Sequence, residues 1–122
     1  MSETSLKIFD PEESAMSETP FIQDEAEFDV LLTNEPLLVV DCTATWCGPC
    51  KLVAPLMDQL AAEYGDRVKV FKLDLDANKF VAQRFGVRSI PAVMFFKNSK
   101  LMDTLVGVKP YAEFSDTLQR FL

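Results

Sequence analysis

Trp46-Cys47-Gly48-Pro49-Cys50 is the one stretch of this chain in which reactive side chains stand at a spacing that implies chemistry. Upstream, Leu37-Leu38-Val39-Val40 is a continuous apolar run, suited to a strand buried on both faces, and it ends in Asp41 and Cys42. Downstream, Leu52, Val53, Leu56, Met57, Leu60, Ala61 and Tyr64 recur at helical spacing, with Pro55 inside the run and Gly65 just past it. That pattern predicts a long helix kinked at Pro55. The motif therefore falls where a strand gives way to a helix. Two cysteines separated by two residues there bring their sulfurs onto one face of the first helical turn, where a disulfide can close. A C-x-x-C in that setting reads as a redox pair.

The residues between the cysteines suit such a turn. Gly48 allows a close approach or an unusual backbone angle. Pro49 has no N–H to lose in a first turn, and its fixed φ suits a helix start, so Cys50 is expected inside the helix. Cys47 is then expected at the helix N-terminus, where unpaired N–H groups and the macrodipole favour a thiolate. Cys47 is accordingly the candidate nucleophile and Cys50 its resolving partner.

At 122 residues and 48% hydrophobic content, the chain is long enough for one domain with a core that needs neither structural disulfides nor metal. Three cysteines and no histidine exclude a Cys-His nucleophilic pair and leave a zinc site short of ligands, so no metal and no cofactor is expected. The net charge of −7 is unevenly spread: residues 1–35 carry ten acidic side chains against Lys7 alone, whereas residues 36–122 are nearly neutral. No basic stripe points to nucleic acid, and no apolar run approaches a membrane span. The acidic N-terminus has neither an h-region nor an Arg-rich amphipathic pattern, which favours a cytoplasmic location as the sequence stands.

Residues 1–20 are rich in Ser, Glu, Thr and Pro and are expected to be a flexible, acidic extension, with the folded domain over 21–122. Met1-Ser2-Glu3-Thr4 recurs as Met16-Ser17-Glu18-Thr19. Leu6-Lys7-Ile8-Phe9 and Phe21-Ile22 are alternative first strands. Asp24 is a candidate N-cap for a helix that Asn34-Glu35-Pro36 ends. Val68 to Leu73 predicts a strand parallel to the one before the motif, by way of the long helix. Asp76 is expected to cap a short helix through Phe80, Val81 and Phe85, closed by Gly86. Ala92 to Phe96 and Leu101 to Val106 predict a hairpin turning near Asn98-Ser99, and Tyr111, Phe114, Leu118 and Phe121 an amphipathic last helix. The resulting class is α/β, a mixed sheet with helices on both faces.

Over about residues 21–122 the chain resembles the thioredoxins. The resemblance is carried by the WCGPC run together with Asp41 on the preceding strand, Pro55, Lys72, Ile90-Pro91, and Val106-Gly107 before the last helix. It implies the thioredoxin fold, a central mixed sheet of four to five strands with about four helices, and a cis Ile90-Pro91 bond. It also implies a protein-disulfide reductase. The Cys47 thiolate attacks a target disulfide, Cys50 resolves the mixed disulfide, Asp41 takes the Cys50 proton, and Lys72 is the companion charge beside Asp41. The implied target groove is Trp46, Gly48, Pro49, Ile90, Pro91, Val106 and Gly107. The partners implied are disulfide-containing proteins and a reductase, flavin- or ferredoxin-linked. With no G-x-G-x-x-G, nothing in the sequence itself points to a nicotinamide or flavin. A monomer is expected.

Plainer readings stand beside these. Asp41 could cap a loop, Lys72 could be a solvated strand residue, and Pro91 could be a strand-entry proline. Cys42 reads as a small core side chain, since alternation points it away from Asp41. The chain also departs from its family: Cys42 and Thr43 stand at positions that are usually aromatic, Ala92 where threonine is frequent, and Ser99 in a turn that usually offers glycine. A binding module without turnover, and an oxidase or isomerase of the same fold, are the alternatives. The intact cysteine pair opposes the first, and Gly48-Pro49, in place of a histidine, opposes the second.

Overall fold

The apolar run before the motif becomes the centre of a sheet. The structure, a computed structural model, describes residues 19–122. In chain order the elements are β1 (Phe21–Ile22), α1 (Glu25–Asn34), β2 (Leu37–Thr43), α2 (Cys50–Tyr64), a 3-10 turn (Gly65–Arg67), β3 (Lys69–Asp74), α3 (Phe80–Phe85), β4 (Ala92–Lys97), β5 (Lys100–Val106) and α4 (Tyr111–Gln119). The five strands lie in the order β1-β3-β2-β4-β5. β1, β3 and β2 run parallel, whereas β4 is antiparallel to β2 and β5 to β4. Phe21-Ile22 is therefore the first described strand; Leu6 to Phe9 lies outside the described residues.

Period-two alternation sorts β2 into two cores. Leu37 and Val39 face Val53, Met57 and Leu60 of α2 and Phe114 and Leu118 of α4. Leu38, Val40 and Cys42 face Phe28 of α1 and Val81 of α3 on the other side. Asp41 shares the parity of Leu37 and Val39, so the sheet turns it toward the α2 face. Cys42 is turned away from it, as the alternation predicts.

Local signals explain most boundaries. Asp24 caps α1, its carboxylate accepting the Glu27 N–H at 2.9 Å. α2 runs through Pro55 and stops at Gly65. The β4–β5 hairpin turns at Asn98 and Ser99, both with positive φ, and the Ser99 hydroxyl donates to the Leu32 carbonyl at 2.8 Å, tying the turn to α1. A register shift between Phe95 and Phe96 has no sequence signal.

Two expectations need correction. Asp76 does not cap the short helix: α3 begins at Phe80 behind Lys79 with no side-chain cap. Asp76 stands instead in the turn after β3, its N–H donating to the Asp74 carboxylate at 2.9 Å, and this leaves its own carboxylate pointing elsewhere. Thr19 and Pro20, assigned by composition to the extension, are joined to the body: the Thr19 hydroxyl donates to Asp58 at 2.6 Å, and the Pro20 carbonyl accepts the Lys72 N–H at 2.8 Å.

Candidate redox site

The C-terminal end of β2 delivers the chain to the site. After Thr43 a turn forms in which the Cys47 N–H donates to the Ala44 carbonyl at 3.1 Å, and α2 starts at Cys50. Cys47 and Cys50 are joined by a disulfide with Cα atoms 5.4 Å apart. The Cys50 N–H donates to the Cys47 sulfur at 3.2 Å, so an otherwise unpaired donor of the first helical turn is aimed at that sulfur. The sequence predicted Cys47 at the helix N-terminus, and it sits just before it.

Both cysteines are buried, Cys47 only 3% exposed, packed with Ala44 and against Ile90. An exposed nucleophile is thus not what the disulfide form presents. Trp46 beside it is 69% exposed, and its indole N–H donates to the Asp76 carboxylate at 2.8 Å. Gly48 does not adopt a left-handed backbone, and a Cβ there would meet open space. The absence of a side chain therefore leaves the surface beside the disulfide low.

On the other side of the cysteines, the Ile90-Pro91 bond is cis. The Pro91 carbonyl accepts the Gly107 N–H at 2.8 Å, and Ala92 pairs with Val106. Gly107 has φ +99°, a conformation that favours glycine. These bonds gather Ile90, Pro91, Val106 and Gly107 into one rim, with Ile90 reaching the cysteines. Val106 and Val108 are exposed there.

On the face of β2 that α2 covers lies a buried carboxyl. Asp41 is 1% exposed, and neither carboxylate oxygen has a hydrogen-bond partner among the described residues. Burial raises its pKa to about 7, with Lys72 pulling it down and Asp58 pushing it up. Lys72 is Asp41's register partner on β3 and is buried, its ammonium 5.5 Å from the Phe21 ring. The strand-alternation reading of Lys72 as solvated therefore fails, because β1 covers that end of β3. A carboxyl so held can take or give a proton near neutral pH.

Thr43 lines a cavity of about 170 Å³ together with Phe21, Ala44, Thr45, Lys51 and Asp74. Sequence reading missed Asp76 behind Trp46, for which no local pattern exists. It also missed Asp58, which an i, i+4, i+8 stripe from Cys50 through Ala54 could have disclosed. No helix among the described residues is long and apolar enough to cross a membrane.

The family model described as Thioredoxin matches residues 19–120. Thioredoxin of Synechocystis sp. is 40% identical over 107 residues, covering 88% of this chain and 100% of that one. Thioredoxin 1 of Synechococcus elongatus is 46% identical over 94 residues, 77% of this chain and 87% of that one. A chloroplastic M-type thioredoxin of Pisum sativum is 36% identical over 88% of this chain, which spans 63% of the pea protein's length. Among solved structures, a thioredoxin of Plasmodium falciparum superposes with a TM-score of 0.78 at 28% identity, covering 85% of this chain and 100% of that one.

Proposed function

The chain belongs to the thioredoxin family, and from that premise we propose that it is a protein-disulfide reductase working through the Cys47/Cys50 pair. The observation that carries this reading is the Cys47–Cys50 disulfide with a donor N–H aimed at the Cys47 sulfur, and on the strand that leads to it a buried carboxyl, Asp41, with no hydrogen-bond partner among the described residues.

In the reduced protein the Cys47 thiolate attacks one sulfur of a target disulfide. A Cys47–target disulfide forms, and the other target sulfur leaves with the electron pair. Cys50 gives its proton to Asp41, and its sulfur attacks Cys47. The Cys47–Cys50 bond forms as the Cys47–target bond breaks, and the second target sulfur leaves as thiolate. Two protein thiols are oxidised and one target disulfide is reduced. Lys72 opposes the upward pull of burial on the Asp41 pKa. Trp46, Gly48, Pro49, Ile90, Pro91, Val106 and Gly107 form the surface on which the target backbone lies.

The partners of this reading are disulfide-containing proteins and a reductase, flavin- or ferredoxin-linked, that restores the dithiol to a monomeric chain. The setting is a reducing compartment, for which we take the cytoplasm; the M-type relatives are named as chloroplastic. Reduction of insulin disulfides with dithiothreitol as donor tests the proposal. Turnover by the wild type, lost in Cys50→Ser, supports a working dithiol reductase. An inert wild type with both thiols accessible assigns the chain to a dedicated partner.

A further inference from the structure

The helix that covers Asp41's face of the sheet carries a second carboxylate. Cys50, Ala54 and Asp58 follow one another at intervals of four along α2 and so share one stripe of the helix. Asp58 is half-buried, and the Thr19 hydroxyl donates to its Oδ1 at 2.6 Å. Thr19 is itself buried, 4% exposed, although the sequence around it is polar. A hydroxyl donor at that distance is a fitting partner for an ionised carboxylate.

From Thr19 the chain passes directly to the other charge beside Asp41. The Pro20 carbonyl takes the Lys72 N–H, and the Phe21 ring lies against the Lys72 ammonium. Three consecutive residues thus touch Asp58 on α2 and Lys72 on β3. Among the described residues these are the two charged groups, of opposite sign, that act on Asp41. β4 presents Val93 at Asp41's register position, and Cys42 faces the opposite core. Among the described residues, α2 adds Cys50, the proton donor itself, and two turns beyond Asp58 the buried Tyr64, against which Tyr111 packs.

We infer that Asp58 is a positioning residue for the resolving step: its charge, fixed by Thr19, opposes that of Lys72 at Asp41 and so sets the pH at which Asp41 exchanges its proton with Cys50. The inference deepens the reductase reading and rests on it. No new reactant enters. The proton passes from the Cys50 thiol to Asp41, and then out to solvent once the target thiolate has left. Without Asp58, Lys72 alone would hold Asp41 ionised further down the pH scale, and the carboxyl would accept the proton less readily.

The test titrates the oxidised protein, in which neither active-site cysteine can ionise, by the carboxyl 13C shift of Asp41. Asp58→Asn keeps an oxygen for Thr19 and removes the charge. It should lower the Asp41 midpoint by about half a unit to one unit. Asp58→Ala should shift it the same way, so the result does not hang on one variant's folding. Asp58→Glu, which restores the charge, should bring the midpoint back toward that of the wild type. The pH profile of insulin reduction should move with the midpoint. A midpoint unmoved or raised in both neutral variants overturns the inference. Because the midpoint is read without turnover, an inert wild type in the insulin assay strikes the reductase reading and not the charge coupling.

Discussion

Asp41 and Lys72 are register partners across the parallel β2–β3 pair, and both are buried on the face that α2 covers. A carboxylate taken out of water is costly unless it is paired and hydrogen-bonded. Here burial outweighs Lys72 and lifts the Asp41 pKa to about 7. The folded protein therefore binds this proton more tightly than the unfolded chain does. Its contribution favours folding below the ordinary carboxylate range and is lost as pH rises through about 7. The difference is on the order of 4 kcal/mol. Asp41→Asn should raise the urea midpoint of unfolding at about pH 8 and give no gain at about pH 4. Its disulfide-reduction rate near neutrality should fall at least several-fold. A variant no more stable than the wild type under alkaline conditions would contradict this account.

Cys47 and Cys50 have different partners, and this separates their roles. Only the Cys47 sulfur receives the N–H at the start of α2. Cys50→Ser should still attack a target and then stop. Mass spectrometry should find a one-to-one adduct through Cys47 that dithiothreitol releases. Cys47→Ser should give no such adduct.

Trp46 is exposed yet anchored, its indole N–H held by Asp76. One exposed hydrogen bond contributes about 1 kcal/mol or less, too little to matter for stability. It should matter for presenting the ring. Asp76→Ala is expected to raise KM for protein disulfides several-fold with a smaller change in kcat and an unchanged melting temperature. A melting temperature that falls with KM would make Asp76 a structural residue.

Arg84 joins α1 to α3 far from the cysteines. Its guanidinium reaches Glu25 and Asp29, each at 2.9 Å, and lies over the rings of Phe28, Phe80 and Phe85. Arg84→Met keeps an apolar stem over the rings and removes both ion pairs. Because these groups are a third to a half exposed, the loss should be about 1 kcal/mol and should shrink in high salt. Reductase activity should not change.

Much of the fold was legible because period and punctuation agreed. Leu37 to Val40, the helical spacing from Leu52 to Tyr64, and Asp24 as a cap each acted through neighbours in sequence. The cysteine pair was legible for the same reason. Asp76 was misassigned because a local rule made it a cap, whereas its partner, Trp46, lies thirty positions away. Lys72 looked solvated because alternation cannot show that a two-residue edge strand will cover it. Thr19 was placed in a polar extension by composition, which averages over neighbours. A single hydroxyl with a specific acceptor is invisible to such an average.

The burial of Cys42 has an electron-counting consequence. Its thiol is fully enclosed in the core opposite the α2 face, and burial together with the nearby Asp41 raises its pKa far out of the reactive range. The reduced native protein should therefore answer an aromatic disulfide reagent with two thiols, Cys47 by attacking it and Cys50 by displacing it from Cys47, and the third should answer only after unfolding. A chain with an odd number of cysteines would in this way still trade electrons strictly in pairs.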